Sequence, residues 1–259
     1  MAHRTVAHRD RRGGRLNDPL LSVIVPAYNE ASTIEAVVRQ LRQVPLRLEV
    51  IVVDDASTDG TGTLLDRLAC EDGLVQRVIR HPTNRGKGAA LKSGIAAATG
   101  DVIVAQDADL EYDPAELPAL LRPIRDGKAD AVYGSRFQGG PHRVLFFWHA
   151  VGNNFLTLVS NMFTNLNLTD METCYKLVRA DLLKRLPLRS ERFGIEVELT
   201  ARLAQAGARI WELPITYSGR TYAEGKKITW RDGVAALFHV IRYNLFPPRG
   251  AWRRGNALG

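Results

Sequence analysis

Cysteine is scarce. Cys70 and Cys174 are the two in 259 residues, and their spacing pairs with nothing. That excludes a disulfide framework and a cysteine-ligated zinc site, and it fits a reducing compartment. Long apolar runs are missing as well. No stretch approaches about 18 uninterrupted apolar residues, the length of a membrane span. The nearest, Val144 to Leu166, is broken by His149, Asn153, Asn154, Asn161 and Asn165. The basic N-terminus lacks an apolar core and does not read as a secretory signal. No signature of a nucleic-acid-binding module occurs, which sets nucleic acid aside as a partner.

Acidic residues are in deficit, 28 against 35 Lys and Arg, for a net charge of +7. Phosphorylated substrates and an anionic membrane surface are the partners that fit. Residues 1–18 carry Arg4, Arg9, Arg11, Arg12 and Arg15 with almost no large apolar side chains, and residues 248–259 are similar. Both read as mobile basic tails. Between them the apolar content suits one globular unit, with no repeat and no low-complexity linker.

Short β-branched runs alternate with helical patterns. Strands are expected at 20–25, 49–53, 75–80, 101–106 and 129–133, and helices at 31–43, 61–70, 87–98 and 114–125. Ser32 with Glu35 reads as a capping box for the first helix. Five alternations imply a mostly parallel sheet with helices on both faces. Ligands of such sheets bind beyond the carboxyl ends of the strands. Four polar clusters should therefore meet on one edge: 26–30, 54–57, 107–109 and 134–136. The second half is less regular, with helices expected at 144–166, 194–205 and 230–243 and strands at 173–178 and 209–213.

Asp107-Ala108-Asp109 follows a buried strand and puts two carboxylates at a loop mouth. They can share a divalent cation that also touches phosphate oxygens, with Glu111 as a third oxygen ligand. The plainer alternative is a turn in which Asp109 caps the helix near Pro114. Asp54 and Asp55 stand side by side at another strand end, and two like charges there need donors or cations. A base or ribose would supply donors. Ser57, Thr58 and Asp59 serve equally well as helix caps. Asn84-Arg85-Gly86-Lys87-Gly88 opens a helix and suits an anionic ligand, or simply a glycine-rich turn.

Together, Ser22 to Glu30, Val52 to Thr61, Arg85-Gly86-Lys87-Gly88 and Asp107-Ala108-Asp109 resemble the family 2 glycosyltransferases with the GT-A fold. The order and spacing agree over residues 20–135. Gly134-Ser135-Arg136 and Glu172 to Leu177 resemble, less specifically, the polyprenyl-phosphate hexose synthases such as the dolichol-phosphate mannose or glucose synthases.

The resemblance implies one GT-A domain over 19–247, with a nucleotide-sugar half at 19–135 and an acceptor half at 136–247. It implies that Pro26, Ala27, Glu30 and Asp55, flanked by Asn29 and Asp54, line the nucleotide pocket. Asp107 would contact nucleotide or metal, and Asp109 and Glu111 would coordinate Mg²⁺ or Mn²⁺. Lys87 would serve the diphosphate, and the basic loop Gly219 to Lys227, with Arg220 and Lys226, could close over the diphosphate or the acceptor phosphate, or be a plain surface loop. Ser135 and Arg136 would approach an acceptor phosphate. Lys176 stands where mannose synthases often carry Arg; it keeps the charge without the bidentate fork. Asp109, Ser135, Arg136 and Lys176 are thus the expected catalytic set.

Family 2 members invert the anomeric centre by direct displacement. A phosphate acceptor is already ionised near neutral pH and needs no general base. A hydroxyl acceptor would need one, from Asp170, Glu172, Glu196 or Glu198. Three functions follow: hexose transfer from UDP-glucose or GDP-mannose to polyprenyl phosphate, transfer to a hydroxyl, or non-catalytic nucleotide-sugar binding. The first requires a peripheral site on a membrane, expected at its cytoplasmic face. The aromatic-rich run 144–166 and the last helix, flanked by Arg249, Arg253 and Arg254, have the composition of interfacial helices, although a core helix is the commoner use of such a run.

Overall fold

A computed structural model describes residues 14–71, 73–139, 141–144, 146–192, 194–221 and 230–246. Seven strands form one sheet: β1 (Leu21–Ala27), β2 (Leu48–Asp54), β3 (Arg77–Arg80), β4 (Val102–Ala105), β5 (Ala131–Ser135), β6 (Lys176–Arg179) and β7 (Ile210–Pro214). Their order is β3-β2-β1-β4-β6-β5-β7. All neighbours run parallel except β6, which is antiparallel to both β4 and β5. β1, β2, β4 and β5 consequently end on the same edge, where the four polar clusters lie.

The strands are apolar almost throughout, and their two-residue period divides them between two cores. Val23, Val25, Val50, Val52, Val102 and Val104 face α1 (Ile34–Arg42), α2 (Thr61–Cys70) and α4 (Leu117–Arg125). Ile24, Ile51, Val53 and Ile103 face α3 (Lys87–Ala97), the short α6 (Ala180–Leu183) and α7 (Ile195–Gln205). A third cluster joins α7 to α5 (Phe147–Thr164) and α8 (Trp230–Leu245) through Leu156, Met171, Val197, Val240 and Tyr243.

Some local expectations change. The Ser32 capping box does not form: α1 starts at Ile34 after Thr33, whose hydroxyl donates to Glu30, and Glu35 pairs with Arg39 and Arg67. Asp113, not Asp109, caps the turn before α4 by accepting from Ala115 N at 2.9 Å. The strand expected at 173–178 is shifted to Lys176–Arg179 and reversed relative to its neighbours. Residues 14–18, grouped with the basic tail on composition, are tied down: Leu16 N donates to Arg125 O at 2.9 Å and its side chain packs on the core.

α5 is inside out for a helix on a water-facing surface. Its buried side carries Leu156, Thr157, Ser160 and Thr164. Its outer side carries Phe147, Trp148, Val151, Phe155, Leu158 and Met162 at helical spacing, with Trp148 77% and Met162 76% exposed. Beside it α8 exposes Phe238, Ile241 and Leu245, and Phe246 follows. No helix of the described residues is long and apolar enough to cross a membrane.

Candidate active site

The loops after β1 and β2 are laced together. Asp55 N donates to Ala27 O at 2.9 Å, just after Pro26, and Asn29 N donates to Ser57 Oγ at 3.0 Å. Asn29, held at φ +55°, accepts from Thr58 N at 2.8 Å through its side chain. Glu30 N donates to Thr61 Oγ1 at 3.0 Å. Ser57 and Thr58, candidate caps in the sequence, thus bond across to the β1 loop.

The paired aspartates find their donors inside the protein. Asp54 Oδ1 accepts from Ser57 N at 3.0 Å. Asp55 accepts from His81 Nδ1 at 2.6 Å, from Arg85 N at 3.0 Å and from Gly86 N at 2.6 Å. Asp55 is buried and anchors the start of α3. Gly86 sits at φ +95°, and a Cβ there would lie 2.6 Å from Glu191 O. Only glycine combines that conformation with that approach. Ala89 N donates to Glu191 O at 3.0 Å. The amides of the glycine-rich turn are therefore largely taken, and its contribution to the site is the ammonium of Lys87.

That ammonium lies between Asp107 Oδ1 at 2.7 Å and Glu196 Oε1 at 2.9 Å. Burial opposes its charge, but Asp107 and Glu196 outweigh burial and hold the lysine protonated. Asp109 Oδ2 lies 2.7 Å from Arg220 Nη2. Glu111 accepts from Tyr217 Oη at 2.7 Å, Arg220 N at 2.9 Å and Arg220 Nε at 3.3 Å. The Asp109 carboxyl is pushed up to about 7, by burial first and then by the charges of Asp107 and Glu111.

On the acceptor side, Ser135 is fully buried, and its hydroxyl is 2.6 Å from Thr169 Oγ1 and accepts from Phe137 N. Arg136 makes a bidentate pair with buried Asp170, Nε to Oδ2 at 2.6 Å and Nη2 to Oδ1 at 2.8 Å. It also donates to Asn153 Oδ1 on α5 at 3.2 Å and lies over the Tyr217 ring. Lys176 is 4% exposed, donates to Thr173 O and lies 5.0 Å over the Tyr133 ring. Burial lowers its ammonium pKa, against the pull of Glu196 and Glu172. The structure thus joins Lys87, Asp107, Asp109 and Glu111 on one side and Ser135 and Arg136 on the other, with Lys176 buried against Thr173 and Tyr133. Lys226 lies outside the described residues.

His81 and Tyr217 had no signal in the sequence. They reach the site only through pairings across the fold, as does Arg220 of the basic loop, at 109 residues from Glu111. Glu198, a candidate base by sequence, is fully engaged by Arg202 and by the amides of Arg189 and Ser190.

Residues 22–186 match the family described as Glycosyl transferase family 2. The undecaprenyl-phosphate mannosyltransferase of Micrococcus luteus is 37% identical over 235 residues, covering 86% of this chain and 93% of that protein. The polyprenol monophosphomannose synthase of Mycolicibacterium smegmatis is 31% identical over 230 residues, covering 86% of each. The Mycobacterium tuberculosis glucosyl-3-phosphoglycerate synthase, solved with Mn²⁺, UDP-glucose and phosphoglyceric acid, superposes with a TM-score of 0.68 at 22% identity, covering 90% of this chain and 82% of that one. The same enzyme with phosphoglyceric acid alone gives a TM-score of 0.70 at 21% identity over the same shares. With the acidic centre and the strand ends arranged as described, the chain belongs to the family 2 glycosyltransferases and has the GT-A fold.

Proposed function

We propose that the protein is an inverting transferase that moves a hexose from a nucleotide-sugar to polyprenyl phosphate at a membrane surface. One observation carries this reading. Arg136, the cation on the acceptor side, is held by Asn153 of α5, the helix whose outer face is apolar and aromatic. A guanidinium beside an apolar surface suits an acceptor that is a phosphate at one end and a hydrocarbon at the other. The mannosyltransferase and mannose synthase similar to this chain are named for such acceptors. In this reading α5 and α8 rest in the lipid interface, at the cytoplasmic face.

The donor set fits a divalent ion. Asp107 and Asp109 offer hard oxygen ligands, and burial with the neighbouring charges of Asp107 and Glu111 makes Asp109 costly to ionise without a cation beside it. Among the described residues no three acidic, histidine or cysteine side chains gather as a closed metal cage. The expected set of Asp107, Asp109 and Glu111 is thus not gathered as a three-ligand cluster; an ion held by one or two carboxylates plus phosphate oxygens and water needs none. Glu111 contributes by holding Tyr217 and Arg220 in place. When bound, Mg²⁺ or Mn²⁺ neutralises charge on the departing diphosphate.

Lys87 holds Asp107 in a fixed position and adds a second cation to the donor site. Arg136, clamped by Asp170, orients the acceptor phosphate with its remaining donors. The phosphate monoester is ionised near neutral pH, so no side chain has to remove a proton from the nucleophile. The loops of Pro26 to Glu30 and Asp54 to Ser57 border the nucleotide.

The test is metal-dependent transfer of labelled hexose from UDP-glucose or GDP-mannose into an organic-extractable, mild-acid-labile product. Absence of that product with every donor that binds, or transfer only to water-soluble hydroxyl acceptors, would refute the reading.

A further inference from the structure

The loop after α5 hangs on side chains. Leu168 N donates to Asn161 Oδ1 at 3.1 Å. Thr169 N donates to both oxygens of Glu212, at 3.0 and 2.9 Å, and Asp170 N donates to Glu212 Oε1 at 3.0 Å. Met171 N donates to Thr157 Oγ1 at 3.1 Å. Four successive amides are thus held by side chains of two other elements. Amides in a helix or sheet bond within their own ladder and move with it. These four are placed by whatever carries the side chains.

One wall is α5. Asn153, Thr157 and Asn161 are four residues apart and so share a face of that helix. Asn153 Nδ2 donates to Asp170 Oδ1 at 3.3 Å, and Asn161 Nδ2 donates to Leu168 O at 2.8 Å. The other wall is β7, where Glu212 stands in register with Tyr133 of β5, two residues before Ser135. The loop carries the partners of both residues on the acceptor side. Thr169 Oγ1 is 2.6 Å from Ser135 Oγ, and Asp170 clamps Arg136. Glu212 Oε2 also accepts from Gln138 Nε2 at 2.7 Å. One carboxylate therefore ties together the two segments, 135–138 and 169–170, that build the acceptor side.

We infer that Glu212 is a positioning residue for the acceptor, acting through the 168–171 loop on Arg136 and Ser135 and not by contact with substrate. The inference rests on the polyprenyl-phosphate reading and deepens it. Arg136 has to present its free N–H groups to a phosphate. The Asp170 clamp fixes where they point only if Asp170 is itself fixed. Bonds from amides to a carboxylate are charge-assisted and roughly twice as strong as neutral ones, so Glu212 is suited to hold the loop in register. The rival role is support of the fold alone. Thr169 and Gln138 are exposed, so water can replace the carboxylate at those donors at small cost in stability. What water cannot replace is the fixed position.

Steady-state kinetics with polyprenyl phosphate in mixed micelles and the nucleotide-sugar that wild-type uses test this. Glu212→Ala should lower kcat/KM for polyprenyl phosphate about tenfold or more, mostly through KM, and leave the nucleotide-sugar KM within about twofold. Glu212→Gln, which keeps one acceptor oxygen, should fall between wild-type and Glu212→Ala. It decides the split if Glu212→Ala melts below the assay temperature. In an Arg136→Lys background, whose ammonium cannot take the bidentate clamp, Glu212→Ala should cost less than about threefold. An acceptor kcat/KM within twofold of wild-type, equal rises in the two KM values, or the same Glu212→Ala factor in both backgrounds overturns the inference. Absence of transfer to polyprenyl phosphate by wild-type protein overturns the reading of the reaction instead, before any variant is compared.

Discussion

Arg220 places its guanidinium 2.7 Å from Asp109, on the carboxylate expected to hold a metal ion. Arg220 is the cation paired with this carboxylate, and it bonds Glu111 through both its backbone and its side chain. In the proposed function Mg²⁺ or Mn²⁺ at Asp109 would compete with it. Replacing Arg220 with Ala should therefore enlarge the Mn²⁺-induced rise in melting temperature. The removal of about 1 kcal/mol of competition corresponds to roughly 2–4 °C for a protein of this size. Asp109→Ala should abolish the Mn²⁺-dependent shift. A smaller shift in Arg220→Ala, or a retained one in Asp109→Ala, contradicts the competition.

Asp55 is a structural anchor for the turn that opens α3. Asp55→Ala strips partners from His81 Nδ1 and from the amides of Arg85 and Gly86. The expected cost is about 2–4 kcal/mol in urea unfolding, since buried donors are left unpaired. Lys87, on the turn that Asp55 ties down, should lose its register with Asp107, so donor affinity should fall too. A stability change below about 1 kcal/mol would show that the turn holds itself.

Glu172 gives the fold a pH dependence of defined sign. Its carboxyl lies near 7 when folded, against the ordinary 4.5. The folded state prefers the protonated form, so that contribution is whole below about pH 4.5 and is lost as pH rises through 7. Comparing wild-type with Glu172→Gln, the stability difference should drift against wild-type between pH 5 and pH 8, by roughly 1–3 kcal/mol. Parallel stability curves for the two proteins would place the titration elsewhere.

The outward face of α5 should bind lipid without supporting the fold. Trp148, Phe155 and Leu158 are all exposed. Changing the three to Ser should leave the unfolding free energy within about 0.5 kcal/mol per site. Co-sedimentation with anionic vesicles should fall about tenfold or more, since the apolar face supplies the insertion energy. Unchanged co-sedimentation, or a large loss of stability, would refute the assignment of this face to the membrane.

The first half of the chain was largely legible because its signals are local. Val23, Val25, Val50 and Val52 alternate with Ile24, Ile51 and Val53 on apolar runs too short for anything but strands. Each run ends in a polar cluster, and parallel strands bring such ends together. The second half was less legible because its pairings are distant. β6 inserts antiparallel between β4 and β5, and nothing in Lys176 to Arg179 states which neighbours it will have. The Ser32 cap failed for a similar reason: Glu35, its required partner, is captured by Arg39 and Arg67.

By itself the amino-acid sequence determined the α/β class, the four clusters at the sheet edge, the family and the acidic centre at Asp107 and Asp109. Residue type and spacing suffice for these, because strand ends, turn glycines and paired carboxylates are properties of neighbours in the chain. Only the tertiary structure decided which of those groups are available to a ligand. Asp54 and Asp55 proved to be furnished with donors by Ser57, His81, Arg85 and Gly86. Lys87 proved to join Asp107 to Glu196, and Arg220 to occupy Asp109. The aromatic face of α5 proved to point outward while Thr157, Ser160 and Thr164 point in. Charge compensation and burial act through space between residues as many as 111 positions apart, so no local pattern could have carried them.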